Sequence, residues 1–174
     1  MSTCSSRRKP PVMNRVISYI DGFNLYFGLR ARGWRKYYWL DPTAMTKGFL
    51  RSHQQFRHCH HFTARIHTKT SGQNTKQQTL WLDALATHVD ITCHFGYYLP
   101  KQRQCKDCGA IWTSYEEKMT DVNTAAQLLV DAYEDRYDTA IIVSGDSDLT
   151  MPVKKGERGF KTSRPTWPAR MRRC

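Results

Sequence analysis

Tyr137-Asp-Thr-Ala-Ile-Ile-Val-Ser-Gly-Asp-Ser-Asp-Leu149 is the stretch whose reading decides the fold. Its centre, Thr139 to Val143, is apolar, β-branched and free of turn residues, as in a buried strand of a parallel sheet. Ser144-Gly145 breaks the run, and Asp146 and Asp148 follow at once. Ligands of α/β sheets sit outside the carboxyl ends of the strands, where these two carboxylates fall. Two carboxylates so close repel each other unless a cation or a basic group lies between them. Ser, Gly and Asp are equally the ordinary residues of a turn, so on this stretch alone the turn and the ion site stand level.

Arg15-Val-Ile-Ser-Tyr-Ile20 repeats the pattern: a β-branched apolar run that ends on Asp21, with Gly22-Phe23-Asn24 leading into a helical pattern. Side by side in one parallel sheet, two such strands bring Asp21, Asp146 and Asp148 to one rim. Mg²⁺ binds through a few carboxylates completed by water and phosphate oxygens, so that rim is a candidate site for a hard divalent cation.

The 174 residues suit one domain, and an apolar content of 40% supports a packed core. No apolar run reaches the length of a membrane span, and the N-terminus, with Arg7, Arg8 and Lys9, has no apolar stretch of the signal-peptide kind. The expectation is a soluble, cytoplasmic protein with no membrane partner. Six cysteines in a chain this long are expected as thiols or metal ligands rather than as a disulfide framework. The net charge of +12 sits at the two ends: residues 1–15 hold four basic and no acidic residues, 154–174 hold eight basic residues against Glu157, and the middle is nearly neutral. Basic ends attract polyanions without selecting among them.

The expected order is a flexible leader over 1–14, a strand over 15–20, and a helix from Asn24 to about Ala31 closed at Gly33. Asp41-Pro42 opens a helix to about Ser52; a strand over 56–66, a loop over 71–74, a helix over 75–89 and a strand over 90–99 stopped by Pro100 follow. Between the first two helices, Trp34-Arg-Lys-Tyr-Tyr-Trp39 interleaves aromatic and basic residues. Arg30, Arg32, Trp34, Arg35 and Lys36 form a candidate RNA surface, the alternative being that the aromatics cap the core from a loop. Residues 101–115 read as a polar loop. The next helix has Thr120 or Asp121 as its N-cap and Val122, Ala125, Ala126, Leu129, Val130 and Tyr133 on its buried face. The β–α alternation predicts an α/β fold with a three-layer parallel sheet.

Ile20-Asp21-Gly22-Phe23-Asn24, Lys118-Met-Thr-Asp121-Val122 and Val143-Ser144-Gly145-Asp146-Ser147-Asp148-Leu149, in this order and spacing, resemble the three signature segments of the NYN domain, a branch of the PIN-like nucleases. The resemblance spans about 15–153, and the tract from Trp112 to Leu149 looks most like the bacterial LabA-like branch. It implies a PIN-like, Rossmann-like fold and a Mg²⁺- or Mn²⁺-dependent ribonuclease acting on single-stranded RNA. Asp21, Asp121, Asp146 and Asp148 would be its catalytic and metal-binding carboxylates, with Asn24 and Ser144 in support. Lys118 stands either as a phosphate contact or as a solvated surface lysine. The alternative is an RNA-binding or regulatory module of the same fold with little chemistry; a homodimer is compatible with both.

Two expectations lie outside that set. Cys105-x-x-Cys108-Gly109 has the spacing of half a structural zinc site. The missing ligands would come from Cys93 and His94, or from Cys59 with His58, His60 or His61. After Val153 the apolar pattern collapses: Leu149 to Lys155 supports at most a broken turn or two, and 154–174 reads as a basic, disordered tail. The resemblance then implies a truncated or frame-shifted chain whose last helix–strand unit is missing.

Overall fold

The computed structural model describes residues 13–65 and 72–159. β1 (Asn14–Asp21) runs into α1 (Gly22–Ala31), and a short 3-10 turn (Arg35–Tyr37) and α2 (Pro42–Lys47) lead to β2 (Gln54–Ala64). α3 (Gly72–Ala86) precedes a hairpin of β3 (Ile91–Gln104) and β4 (Ile111–Lys118), and α4 (Thr120–Tyr133), β5 (Thr139–Val143) and α5 (Thr150–Gly159) complete the order. The strands form one sheet, β4-β3-β2-β1-β5. Four strands are parallel to their neighbours and β4 is antiparallel to β3. The sheet is therefore mixed, where the sequence predicts an all-parallel one.

The difference lies in the hairpin. β3 does not stop at Pro100, which lies opposite Tyr115 of β4. Only the first part of β3, Ile91 to Gly96, pairs with β2. Beyond it β3 has a partner on one side, and such an edge admits a residue without an N–H. β4 reads as loop in the sequence because it belongs to an exposed ribbon held partly by charge. Glu116 meets Lys101 at 3.0 Å and Arg103 at 2.8 Å across the two strands. Neither face carries the apolar alternation that marks a half-buried strand.

Side chains alternate across each strand, so the sheet divides two cores. Val16, Ile20, Cys59, Ile91, Ile141 and Val143 pack with Leu85 of α3, and Leu25 of α1 and Met45 of α2 lie against them. Ile17, Tyr19, Phe62 and Ala140 pack on the other face with Leu128 and Ala132 of α4, Tyr137 and, at the margin, Val153 of α5.

Helix starts follow local chemistry. Asp21 caps α1 and Asp41 caps α2, with Pro42 at its first position. Gly33, at φ +68°, takes the left-handed turn after α1. α2 ends at Lys47 rather than near Ser52, and α3 begins at Gly72, inside the expected loop, and ends at Ala86. Ile66 and Ser71 lie outside the described residues.

α4 turns a different face inward from the expected one. Thr120, Thr124, Leu128, Asp131 and Ala132 are buried, while Val122 is 59% and Tyr133 90% exposed, with Leu129 and Val130 also exposed. Asp131 explains the rotation. Fully buried, it accepts from Tyr19 Oη at 2.7 Å and from Gln127 Nε2 at 2.9 Å, and His60 Nε2 lies 3.1 Å away. His60 Nδ1 in turn meets His94 Nε2 at 2.9 Å. Burial alone would raise the Asp131 carboxyl, but the hydrogen bonds from His60 and Tyr19 hold it below its ordinary range. α5 is a second correction: ten residues are helical where the sequence supports a broken turn or two. Pro152 falls in the first turn, where its missing N–H has no intrahelical acceptor to lose. The expected tail beyond Gly159 lies outside the described residues.

On the first face His61 is fully buried against Trp81, ring centroids 5.1 Å apart, and neither of its ring nitrogens has a partner among the described residues. Burial pushes His61 down from 6.5 to about 4, and burial followed by repulsion from His60 does the same to His94. The unfolded chain therefore binds more protons than the folded one below about 6.5. Stability is full above that pH and is lost as pH falls towards 4. His61→Phe, which keeps an aromatic ring in the core, is expected to remove roughly 3 kcal/mol of the acid sensitivity. Thermal melts of both proteins between pH 7.5 and 4.5 read the difference in slope.

Candidate functional site

β1 and β5 are parallel neighbours with Ile20 opposite Val143, so Asp21 and the Ser144–Asp148 loop leave the sheet side by side. Asp21 is 2% exposed. Its Oδ1 accepts the Asn24 N–H at 3.0 Å; its Oδ2 accepts from Asn24 Nδ2 and from Ser144 Oγ at 3.0 Å. Asn24 Oδ1 accepts the Gly145 N–H at 3.2 Å, and a Cβ on Gly145 would stand 3.1 Å from that same oxygen. Asp146 N–H donates to Ser144 Oγ at 3.1 Å and Asp148 N–H to Asp146 Oδ1 at 2.8 Å. A continuous chain of hydrogen bonds thus laces the start of α1 to the loop after β5. Asn24 and Ser144 are thus the two residues whose hydrogen bonds meet the Asp21 carboxylate.

Asp121 enters from the first turn of α4. It is not the cap, nor is Thr120: the N-cap is Met119, whose φ of +83° is left-handed and which makes no side-chain cap bond. Glu117 does the capping, accepting from the Thr120 N–H at 3.1 Å and from Thr120 Oγ1. The Asp121 carboxyl is pushed up, first by burial and then by Asp146, Asp21, Glu117 and Asp148. Asp121 therefore feels four other carboxylates. Glu117 is the member the sequence reading misses. Its signal is a glutamate next to Lys118-Met-Thr-Asp121, hidden because β4 does not read as a strand.

Lys118 does not join the group. Strand alternation turns it away from Glu117, and its Nζ lies 3.5 Å from Glu116 on the outer side of the hairpin. Among the described residues none of the four aspartates is ion-paired with a basic side chain. An all-oxygen donor set of this kind suits Mg²⁺ or Mn²⁺ in chemical type. In arrangement, no group of three or more His, Cys, Asp or Glu among the described residues is set to hold a metal ion. The same holds for zinc. Cys105 and Cys108 lie in the β3–β4 turn, Cys59 is buried in the core and Cys93 lies partly buried beside it.

A cleft of about 660 Å³ opens beside this rim. Asn24, Ser144 and Gly145 line one end, and Arg32, Trp34, Lys36 and Tyr37 lie along the rest. The Arg32 guanidinium sits 5.7 Å from the Trp34 ring centroid and the Lys36 ammonium 4.9 Å from that of Tyr37. Of the expected RNA surface, Arg32, Trp34 and Lys36 line the cleft; Arg30 and Arg35 are exposed outside its lining.

A mixed α/β sheet with carboxylates at the adjoining ends of two parallel strands is the class that fold and site define together. Residues 15–163 match the NYN domain, and the chain belongs to that family. It is 31% identical over 173 aligned residues to 6-hydroxy-3-succinoylpyridine 3-monooxygenase HspA of Pseudomonas putida, covering 80% of this chain and 54% of that protein. The chain thus spans about half the length of that relative. The fold is similar to the crystal structure of a protein of unknown function from Vibrio parahaemolyticus, at a TM-score of 0.52 and 16% identity over 90% of this chain and 83% of the other. Among the described residues no helix is long and apolar enough to cross a membrane.

Crowded carboxylates without a counter-ion repel. In the presence of a chelator at neutral pH, Asp121→Asn is expected to raise the thermal midpoint by about 2 °C, the size a partly exposed, screened contact allows. The gain fades in high salt and disappears as acid protonates Asp121 in the parent. Melts of the two proteins across pH and salt check it.

Proposed function

We propose that this NYN domain is a Mg²⁺- or Mn²⁺-dependent ribonuclease acting on single-stranded RNA at the rim formed by Asp21, Asp121, Asp146 and Asp148. The observation that carries it is the parallel pairing of β1 with β5, which delivers Asp21 and the Asp146–Asp148 loop side by side, with Asp121 raised by burial and by these neighbouring carboxylates and no basic partner for any of the four among the described residues. Bound there, a divalent cation would neutralise phosphate oxygens and activate a water for hydrolysis. The chain's own part is positioning. Asn24 and Ser144 hold Asp21 in one rotamer, and the backbone of the Ser144–Asp148 loop orients Asp146. Trp34 offers a face on which an unpaired base stacks, and Lys36 and Arg32 lie within reach of its phosphates. This reading sets the chain in the LabA-like branch, as a three-layer PIN-like domain working in the reducing cytoplasm.

Asp146→Asn keeps the acceptor that Asp148 N–H uses and removes one charge. Cleavage of labelled single-stranded RNA in Mn²⁺ is expected to vanish while binding holds or strengthens. Saturating Mn²⁺, at about a hundred times its dissociation constant, is expected to stabilise the parent by about 2.7 kcal/mol and the variant by much less. A variant that cleaves like the parent would leave an RNA-binding module without chemistry. If Mn²⁺ stabilises neither protein, the rim is not a metal site.

A second reading has one observation in its favour: the Pseudomonas putida relative is named for a reaction on a hydroxylated pyridine. The same cleft has room for one aromatic heterocycle. Trp34→Ala separates the two. On the ribonuclease reading it weakens single-stranded RNA binding by roughly 5- to 100-fold, the worth of one stacked base, and a hydroxypyridine does not saturate the parent's tryptophan fluorescence. Saturable quenching by the hydroxypyridine with unchanged RNA affinity would favour the second.

A further inference from the structure

The turn between β3 and β4 carries chemistry that the acidic rim does not use. The Cys105 N–H donates to the Ala110 carbonyl at 2.8 Å, and the Gly109 N–H to the Cys105 carbonyl at 3.1 Å. Gly109, at φ +71°, supplies the left-handed residue that closes so tight a turn. Both thiols are thereby held on one tip. The backbone N–H groups of Cys108 and Asp107 and the Cys108 thiol lie close to the Cys105 sulfur, so the turn sets the two thiols side by side. The thiolate is the form that binds metal.

Tetrahedral zinc takes four such ligands, and the described chain offers two. Cys93 and His94 stand eleven or twelve residues back along β3, roughly 36 Å at strand rise. Cys59 and His61 are fully buried. His58 bonds Thr92, and His60 and His94 bond each other beside Asp131. His53 and His88 precede β2 and β3, at the opposite end of the sheet from the tip. The tip itself stands clear. Beyond Gly96, β3 pairs with β4 alone; Tyr98 still packs edge-on against Phe23 of α1, and Leu99 to Gln104, roughly 20 Å at strand rise, continue to the tip. A two-stranded ribbon of this kind is marginal by itself. Next to the tip, Ile111 is 66% and Trp112 49% exposed.

We propose that Cys105 and Cys108 form half of a zinc site that a second copy of this chain completes, two hairpin tips sharing one ion. A twofold axis through the metal supplies two thiolates from each copy, and each patch meets its own image. Ile111 and Trp112 stand on opposite faces of the ribbon, so the axis brings one of the two against its own image and removes part of the apolar surface that a lone ribbon leaves wet. Lys106, between the thiols, offsets part of the excess negative charge of a four-thiolate centre. This site is independent of the ribonuclease reading.

The test uses the full chain purified without a histidine tag. About half an equivalent of zinc per chain is expected by elemental analysis, with a dimer in sedimentation velocity. A strong zinc chelator is expected to return it to monomer, and added zinc to restore the dimer. Cys105→Ser and Cys108→Ser should each lose both metal and dimer, with far-UV circular dichroism unchanged. The chelation arm needs no variant and stands even if one of them folds poorly. One full equivalent of zinc on a monomer would show that the same chain completes the site and would overturn the proposal. So would the absence of zinc, or a dimer that survives chelation.

Discussion

The carboxylate of Asp21 is the joint on which the arrangement turns. A carboxyl group almost wholly withdrawn from water is tolerable only when its polar atoms are met. Here the meeting groups come from two separate elements: the backbone and side chain of Asn24 at the start of α1, and the hydroxyl of Ser144 beyond β5. Capping a helix and tying two strand ends together are thus one act. The geometry of the rim cannot be loosened without also uncapping α1 and leaving a buried carboxyl without its hydrogen bonds.

The other face of the sheet depends on a second buried carboxylate. Asp131 draws Tyr19 from β1, His60 from β2 and Gln127 from its own helix into one network. To reach it, α4 turns a partly polar face inward. At its start, close packing takes over. A Cβ on Gly96 would stand 2.4 Å from the Lys118 carbonyl and 2.5 Å from Glu117 Oε1, so only glycine lets the hairpin cross so near the start of α4. Asp121 reaches the rim because the helix is fixed at both places.

The parts of this plan legible in the sequence are those set by short-range chemistry. The apolar runs of β1 and β5, the aspartates that follow them, and the Asp41-Pro42 start of α2 are local signals, and each stands where expected to within a residue or two; α1, expected from Asn24, starts at Gly22 with Asp21 as a cap the sequence does not single out. The hairpin was not legible, because a ribbon held by Glu116 with Lys101 and Arg103 has the composition of a loop. Nor was the inward face of α4. Periodicity ranks residues by apolarity and selects Val122, Leu129 and Tyr133, whereas Asp131 is buried for partners more than seventy residues away in sequence. Of the candidate site, Asp21, Asp146 and Asp148 follow from the ends of two apolar runs, whereas Asp121, Asn24 and Ser144 enter only through the family resemblance. Glu117 and the true position of Lys118 become visible only once β4 is known to be a strand.

The outward stripe of α4 has a colloidal consequence. Val122, Leu129, Val130 and Tyr133 present apolar surface to water on a chain of net charge +12. Surfaces of that kind attract one another at short range, while the shared positive charge keeps whole molecules apart at long range. Added salt shortens the reach of the repulsion, to about 10 Å at 0.1 M, and leaves the short-range attraction in place. Ionic strength therefore acts on this protein as a control of self-association, and dilute buffer favours its solubility.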